Sequence, residues 1–289
     1  MNIGQVYTHL LTELKAVFSY DEAREMAFRL LEHHLQITRA KVMVQFNIEI
    51  PDNSLPPLAL AMEDLLANKP IQYVLGKTLF MESEFIVNKH VLIPRPETEE
   101  LVQSIINELR TIVIDINFPI KVLDIGTGSG CIAIALKNYF PDMVVFGLDN
   151  SDEALEVARL NAQNLRADVV FCEADILDFQ TLDGLPDFDV IISNPPYVLE
   201  KEKKAMQKNV LEYEPAAALF VPDNQPLLYY EAIADYAEHK LRPGGYIFLE
   251  INESYGEEVK SLYLKHGFKD VEILKDLFGK DRFLHCKSN

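Results

Sequence analysis

The sequence has few of the groups that would tie a protein to a metal ion or a membrane. Its cysteines, Cys131, Cys172 and Cys286, form neither a CxxC pair nor a Cys/His cluster at zinc spacing. We therefore expect reduced thiols and no metal site. No apolar run reaches the length of a membrane span, and Met1–Tyr20 lacks the features of a signal peptide. These absences predict a cytoplasmic protein that makes no membrane contact.

Basic residues are also scarce. The 289 residues include 27 Lys and Arg against 45 Asp and Glu, which gives a formal net charge of −18. The short basic run Lys201–Lys204 is interrupted by Glu202, and no Lys/Arg-rich stripe is present. Because an acidic surface repels phosphate backbones, we expect no direct nucleic-acid binding, whereas a basic partner would be attracted.

Residues 1–75 have the pattern of a small all-α domain. Apolar residues first recur at helical spacing at Leu10, Leu11, Leu14, Val17 and Phe18. Ser19 with Glu22 fits a capping box that opens a second helix. A third helix is expected over Thr38–Phe46, and Pro57 suits the first turn of a fourth helix that runs to Leu66. Nothing in this region resembles a catalytic site, but its surface can serve a partner.

Residues 76–95 change to a strand-like period and predict a hairpin linker that turns near Asn88-Lys89. From Pro96 onward, helical and strand patterns alternate. The β-rich runs are Val122–Ile125, Val144–Leu148, Val169–Phe171, Val190–Ile192, Tyr246–Ile251 and Val271–Leu274. The helical stretches are Cys131–Asn138, Glu153–Asn164 and Leu227–Leu241. This alternation predicts an α/β domain with a mostly parallel, doubly wound sheet, to which Phe283–Cys286 adds a last, antiparallel edge strand.

A glycine-rich turn follows the first strand of this domain. Lys121–Ile134 reads KVLDIGTGSGCIAI, with glycines at Gly126, Gly128 and Gly130. Glycine allows a tight turn and a close approach of a ligand to the backbone. The G-x-G-x-G spacing differs from the G-x-G-x-x-G of dinucleotide-binding proteins, so a nicotinamide cofactor is disfavoured.

Two acids follow the next strands. Asp149 ends the second strand about 20 residues beyond the glycines, where a carboxylate accepts hydrogen bonds from ribose hydroxyls. Its alternative role is to cap the next helix, in competition with Ser151 and Asp152. Asp175 follows the third strand and is a candidate partner for an adenine amino group, with Ile176 on the ring. A solvated loop acid is an equally good interpretation of Asp175.

The fourth strand runs directly into Asn194-Pro195-Pro196-Tyr197. The two prolines fix φ and remove two N–H donors, which leaves a rigid loop of acceptors. The side-chain oxygen of Asn194 and the carbonyl of Pro195 can each accept an N–H bond from a planar NH2 group. They would orient that nitrogen for in-line methyl transfer and stabilise its growing positive charge, while Tyr197 packs over the planar group. Asn-Pro is also a common turn former.

These segments resemble a known family. Asn194–Tyr197 is similar to the NPPY motif of amino-group methyltransferases that act on adenine or on glutamine. Pro70–Gly76 (PIQYVLG), Val91–Val102 (VLIPRPETEELV) and Leu211–Leu219 (LEYEPAAAL) resemble stretches particular to the release factor glutamine methyltransferases, the PrmC/HemK family. The similarity extends over nearly the whole chain.

The resemblance implies a Rossmann-like class I methyltransferase fold with a seven-stranded, mostly parallel sheet at 96–289. It also implies a hairpin linker at 76–95 and a helical substrate-recognition domain at 1–75. S-adenosyl-L-methionine would donate its methyl group, leaving S-adenosyl-L-homocysteine. The acceptor would be the side-chain amide nitrogen of the glutamine in the GGQ motif of class 1 peptide-chain release factors.

Site residues follow from the same resemblance. The residues implied to bind the cofactor are Gly126, Thr127, Gly128, Ser129, Gly130, Asp149 and Asn194, to which we add Asp175 and Ile176 from their position. The residues implied to act on or hold the glutamine are Asn194, Pro195, Pro196 and Tyr197. Arg95 and Glu97 would border the site, although Arg95 equally suits an ion pair with a nearby acid.

Three other functions are compatible with parts of the sequence. A methyltransferase for a ribosomal-protein glutamine would share every catalytic residue. A DNA adenine methyltransferase would share the Asn194–Tyr197 motif, but the charge of −18 opposes it. A cofactor-sensing module would not need paired acceptors at the methyl group.

Overall fold

The computed structural model describes residues 1–112 and 119–289, and the chain falls into two compact units. The first unit comprises Met1–Lys77 and Gln207–Tyr213, and the second comprises Thr78–Met206 and Glu214–Asn289. Within the described ranges, no helix combines the length and apolarity that crossing a bilayer requires.

The described helices and strands alternate through most of the second unit. The helices are α1 (Ile3–Leu14), α2 (Tyr20–Leu35), α3 (Arg39–Val44), α4 (Leu55–Leu66), α5 (Ile71–Leu75), α6 (Pro96–Ile112), α7 (Cys131–Tyr139), α8 (Asp152–Leu165), α9 (Lys208–Tyr213), α10 (Leu228–Lys240) and α11 (Gly256–Lys265). The strands are β1 (Lys77–Phe80), β2 (Ser83–Ile86), β3 (Lys121–Ile125), β4 (Val144–Asp149), β5 (Val169–Glu173), β6 (Phe188–Ser193), β7 (Val198–Leu199), β8 (Phe220–Val221), β9 (Leu241–Glu250), β10 (Lys269–Lys275) and β11 (Asp281–Lys287).

The first unit is a bundle of short helices around an apolar core. The predicted capping box at α2 is confirmed, because the Ser19 side chain accepts from the Glu22 N–H and Glu22 accepts from the Ser19 N–H. The predicted start of α4 is also confirmed, with proline in its first turn. The first helix ends earlier than its apolar pattern predicted, at Leu14, and Val17 beyond it is 44% exposed.

The predicted hairpin exists, but its predicted turn at Asn88-Lys89 is wrong. Strands β1 and β2 are joined instead by Met81-Glu82, with φ of +47° and +63°. The Met81 N–H donates to the Glu99 carboxylate at 2.8 Å, which anchors the turn. Asn88 makes a separate turn after the hairpin, where its side chain accepts from the N–H of His90. Asn88 therefore does form a turn, as its turn preference indicates, but this turn is not the one that joins β1 and β2.

The large sheet of the second unit has seven strands in the order β10-β11-β9-β6-β3-β4-β5. Strands β9, β6, β3, β4 and β5 pair in parallel, whereas β11 is antiparallel to both β9 and β10. The predicted antiparallel direction of the last strand is confirmed, but its predicted edge position is wrong. Phe283, Leu284 and Cys286 of β11 are buried, so this apolar strand is inserted inside the sheet and the more polar β10 forms the edge.

Helices cover both faces of the sheet, as expected for a doubly wound domain. Alternate residues of β3 and β6 belong to opposite cores. Val122 and Ile192 pack with α6 and α7, whereas Leu123 and Ile191 pack with α10 and α11. This arrangement leaves the carboxyl ends of the parallel strands free to form a site.

Candidate active site

A cavity of about 240 Å³ opens at the carboxyl ends of β3, β4, β5 and β6. Among the residues that line it are Gly126, Gly128, Asp149, Asp175, Ile176 and Asn194. Each was predicted from the sequence as a cofactor-binding residue. The parallel order of these strands brings the four sequence segments to one edge of the sheet, where ligands of open α/β sheets bind.

The glycine loop after β3 has two different faces. Gly126 and Gly128 line the cavity with φ of +72° and +53°, and a Cβ added at either would meet no atom within 4 Å. Their backbones can therefore be approached closely from the cavity, which suits a bound cofactor. A Cβ at Gly130 would lie 2.9 Å from the Ile134 side chain and 3.2 Å from Ala158. Gly130 is thus needed for the packing of α7 on α8.

Thr127 and Ser129 lie behind the loop, 4% and 3% exposed. The Thr127 hydroxyl donates to the Asp124 carboxylate at 2.6 Å, and the Ser129 carbonyl accepts from Asn161 at 2.9 Å. Burial raises the pKa of Asp124 to about 7. The Thr127 side chain and the Ser129 carbonyl support the loop from within. Cofactor contacts by these two residues remain a prediction.

Asp149 ends β4 at the cavity wall. Its carboxylate accepts from the Gly128 N–H at 2.8 Å and from the Ser151 N–H at 3.0 Å. The N-cap of α8 is Ser151, whose side chain accepts from the Ala154 N–H. Of the two roles open from the sequence, capping therefore falls to Ser151, and Asp149 ties the glycine loop to β4 while facing the cavity. Burial raises the pKa of Asp149, and backbone hydrogen bonds from Gly128, Ser151 and Asn150 oppose that shift.

Asp175 and Ile176 follow β5 and also line the cavity. The Asp175 carboxylate accepts from the Leu177 N–H at 2.9 Å and from the Asn150 side chain at 3.4 Å. Ile176 is 5% exposed and belongs to the core that lies between the sheet and helices α10 and α11. Asp175 is therefore a wall residue, not a freely solvated loop acid, and the predicted adenine contacts remain compatible with its position.

The segment after β6 carries the acceptor groups predicted from the sequence. Asn194, Pro195 and Pro196 line the cavity. The Asn194 side-chain NH2 donates to the Thr98 hydroxyl at 3.0 Å. Tyr197 packs against the core instead, and its hydroxyl donates to the Glu250 carboxylate at 2.9 Å. A contact between Tyr197 and a substrate amide remains a prediction.

Arg95 forms an ion pair with Glu214 at 2.6 Å, and the Glu214 side chain is 1% exposed. Glu214 also accepts from the Ile93 N–H at 3.3 Å. Neither Arg95 nor Glu97 lines the cavity, whereas the preceding segment 89–92 does. The ion pair is the alternative that the sequence left open for Arg95, and it fixes the end of this wall segment.

Three polar residues that support the site escaped sequence reasoning. Thr98 and Glu250 are 3% and 2% exposed, and Glu214 is 6% exposed. The available signal for Glu250 was an acid at the end of the apolar strand β9, the same signal that identified Asp149. Thr98 and Glu214 lie within the stretches Val91–Val102 and Leu211–Leu219 that carry the resemblance, but neither ends a strand, so no local pattern marked them as site residues.

Comparison with known proteins first defines the class. A methyltransferase domain family matches residues 118–261. The solved T. thermophilus 16S rRNA N2 G1207 methyltransferase, in complex with AdoMet and guanosine, superposes with a TM-score of 0.51. It is 17% identical, and the match covers 74% of this chain and 50% of that chain. At this identity the similarity concerns the fold alone. The second unit therefore has the class I methyltransferase fold that the sequence predicted.

The particular family follows from the relatives. The PrmC N-terminal domain family matches residues 5–76. The release factor glutamine methyltransferase of Flavobacterium psychrophilum is 42% identical over 284 residues, 98% of each chain. Those of Bacteroides thetaiotaomicron and Lactococcus lactis are 46% and 41% identical, over 76% and 83% of this chain and 76% and 85% of theirs. The chain belongs to the release factor glutamine methyltransferase family. It is an S-adenosyl-L-methionine-dependent methyltransferase, which confirms the predicted enzyme class and methyl donor.

Proposed function

We propose that this enzyme methylates the side-chain amide nitrogen of the glutamine in the GGQ motif of class 1 peptide-chain release factors. The observation that carries the proposal is the 42% identity over 98% of both chains with a release factor glutamine methyltransferase. Such factors act in translation, so we place the enzyme in the cytoplasm. The net charge of −18 favours a protein substrate over direct contact with nucleic acid.

The cavity suits the methyl donor in three respects. Gly126 and Gly128 offer backbone that a ligand can approach, Asp149 offers a carboxylate for ribose hydroxyls, and Asp175 and Ile176 form the wall where an adenine would lie. When bound, the donor supplies an electrophilic methyl group on a sulfonium. The remaining work of these residues is to bind and orient the donor at the strand ends.

Asn194 and Pro195 present the acceptor nitrogen. An amide nitrogen is a poor nucleophile because its lone pair is delocalised. The Asn194 oxygen and the Pro195 carbonyl each accept a hydrogen bond from one of its N–H groups. These bonds orient the nitrogen toward the methyl group and stabilise the positive charge that it gains. Bound at the strand ends, S-adenosyl-L-methionine would supply the methyl group to this nitrogen and would leave as S-adenosyl-L-homocysteine. The proton that the nitrogen sheds would pass to solvent, which leaves a neutral methylamide.

The helical residues 1–75 have no group suited to this chemistry, and we assign them to recognition of the protein substrate. In this division of the chain, residues 76–95 act as a linker and residues 96–289 as the catalytic domain. Arg95 and Glu97 lie just beyond the wall segment 89–92, and contacts of these two residues with the substrate remain a prediction.

Transfer of labelled methyl from S-adenosyl-L-methionine to purified release factor tests the proposal. The matched control is the same factor with the GGQ glutamine replaced by alanine. Label on the wild-type factor alone supports both the enzyme and its target residue. Label on neither factor, with cofactor binding intact, contradicts the proposed substrate and favours a ribosomal-protein glutamine. The next substrate to test would then be DNA adenine.

A further inference from the structure

A network of three hydrogen bonds, one buried and two partly buried, links the side chain of Asn194 to Thr98, Glu250 and Tyr197. The Asn194 NH2 donates to the Thr98 hydroxyl at 3.0 Å, and that hydroxyl donates to the Glu250 carboxylate at 2.8 Å. The other Glu250 oxygen accepts from the Tyr197 hydroxyl at 2.9 Å. Asn194 borders the cavity, whereas Thr98, Glu250 and Tyr197 do not. The network therefore contacts the cavity only through Asn194, and its other three side chains lie behind the cavity wall.

Burying the carboxyl group of Glu250 at this position costs free energy of folding. Glu250 is 2% exposed, and burial raises its pKa, while the hydrogen bonds from Thr98 and Tyr197 oppose that shift. The cation that acts on it electrostatically, Arg282, forms its own ion pairs with Asp276 and Glu253 at 3.2 and 3.7 Å. A buried carboxylate held mainly by two hydroxyls weakens the fold relative to an apolar residue, so its presence calls for a functional reason.

That reason lies in the direction of the hydrogen bonds. A hydroxyl can donate or accept, so Thr98 alone would hold either end of the Asn194 amide. Both Glu250 oxygens accept a hydroxyl proton, one from Thr98 and the other from Tyr197, so Glu250 takes the single proton of Thr98. The Thr98 oxygen can then only accept, and it selects the NH2 end of Asn194. The Asn194 oxygen is left as the end available to the cavity.

We propose that Thr98 and Glu250 are positioning residues that fix the side-chain amide of Asn194 with its oxygen toward the substrate. This inference rests on the proposed function, in which that oxygen accepts an N–H bond from the glutamine amide. With Asn194 turned around, two NH2 groups would face each other and no hydrogen bond would form. Methyl transfer then loses one of the two groups that aim the nitrogen.

The decisive variant is Thr98→Val, which keeps the shape of the side chain and removes the hydroxyl. We expect kcat to fall by about 10-fold or more, with the S-adenosyl-L-methionine Kd within about twofold of wild type by calorimetry. Thr98→Ser keeps the hydroxyl and is expected to recover most of the lost kcat. Thr111→Val makes the same chemical change at an exposed position of α6 and serves as the matched control. A Thr98→Val enzyme with wild-type kcat overturns the inference.

A double-mutant cycle separates positioning from structural damage. If Thr98 acts through Asn194, adding Thr98→Val to Asn194→Ala lowers kcat no further. Additive losses would mean that Thr98 acts by another route, and the inference fails. Should Thr98→Val not fold, Thr98→Ala replaces it in the cycle, because it removes the same hydroxyl. Its kcat is expected to fall by about 10-fold or more, and an unchanged value contradicts the inference.

A readout without methyl transfer keeps this test apart from the proposed function. The Asn194 side-chain NH2 gives a nitrogen–proton NMR signal, identified as the one absent from Asn194→Ala. We expect this signal to shift in Thr98→Val and to stay in place in Thr111→Val. A signal that does not move in Thr98→Val overturns the positioning role, whatever the substrate. If the wild-type enzyme does not methylate release factor, that result contradicts the proposed function and leaves the positioning role to be judged by the NMR signal.

Discussion

The two units of the chain bury different kinds of side chain. The helical unit packs its core from apolar residues, with Leu14, Leu30, Leu31 and Leu65 fully buried. Among the described residues, and leaving tyrosine aside, every polar or charged residue that is buried as a whole falls in the second unit, although the ring nitrogens His33 Nδ1 and His34 Nε2 of the helical unit are also enclosed. The buried polar or charged residues of the second unit are Thr78, Thr98, Asp124, Thr127, Ser129, Asn161, Ser193, Glu214, Glu250, Asn252 and Asp276.

The difference separates stability from chemistry. Buried polar groups need partners with defined geometry, and leaving one unpaired costs about 1–3 kcal/mol. Several of those in the second unit surround the site: Asp124 and Thr127 behind the glycine loop, and Thr98 and Glu250 behind Asn194. The second unit, which has the methyltransferase fold, thus buries polar groups around its site even though burying them costs free energy of folding. The helical unit needs only a stable frame for its surface.

The largest effect is expected from Asn194→Ala. Losing an acceptor that stabilises developing charge is expected to lower kcat by about 10²–10³-fold. The measurement is methyl transfer to release factor under saturating cofactor, with circular dichroism as a check of the fold. Asn164→Ala, at an exposed position of α8, is the control. Wild-type turnover in Asn194→Ala would show that the Asn194 oxygen is not needed for methyl transfer. The buried polar groups behind Asn194 would then have no catalytic role to explain them.

A core substitution in the helical unit is expected to affect stability without affecting the site. Leu65→Ala removes a fully buried side chain of α4 and should lower the free energy of unfolding by about 2–5 kcal/mol. Leu60→Ala on the same helix, where the side chain is 63% exposed, should change it by less than about 0.5 kcal/mol. Urea denaturation measures both. If cofactor affinity falls together with stability in Leu65→Ala, the contrast between a core that serves stability and a site that serves chemistry is wrong.

Asp149→Ala is expected to have an intermediate effect. It removes the carboxylate that binds the Gly128 N–H and that we assign to the ribose, so the S-adenosyl-L-methionine Kd should rise by about 10–100-fold. Calorimetry measures the affinity. Asp152→Ala, at an exposed position of the neighbouring helix, is expected to leave it unchanged. An unaltered Kd in Asp149→Ala would contradict the cofactor role of this acid.

The smallest effect concerns the pH dependence of stability at Asp124. Its pKa is raised by burial from near 3.8 to about 7, so between these values the folded state holds a proton that the unfolded state has lost. Stability therefore falls as pH rises through this window and levels off above it. Asp124→Asn removes this contribution while keeping an acceptor for Thr127. Its free energy of unfolding relative to wild type should rise by about 1 kcal/mol from pH 6 to pH 8. Parallel profiles in urea denaturation would show that Asp124 does not titrate there.

Predictions from the sequence succeeded where the signal was local. The capping box at Ser19 and the glycine turn after β3 each depend on residues a few positions apart. The acid at the end of β4 was found from its own strand, although the Gly128 N–H that it binds lies 21 positions away. The failures concerned choices among distant partners. Asn88 was a good turn residue, but the hairpin turned at Met81-Glu82, where the Glu99 carboxylate accepts from the backbone. The last strand had the right direction and the wrong neighbours.

The sequence by itself determined the alternating fold, the glycine loop after β3 and the Asn194–Tyr197 segment, because periodicity and turn chemistry act over a few residues. Only the tertiary structure decided which polar groups hold that segment in place. Thr98 meets Asn194 across 96 positions and Glu250 across 152. These contacts depend on the packing of α6 beside the ends of β6 and β9. Strand order and helix packing set that geometry, and no local pattern encodes it.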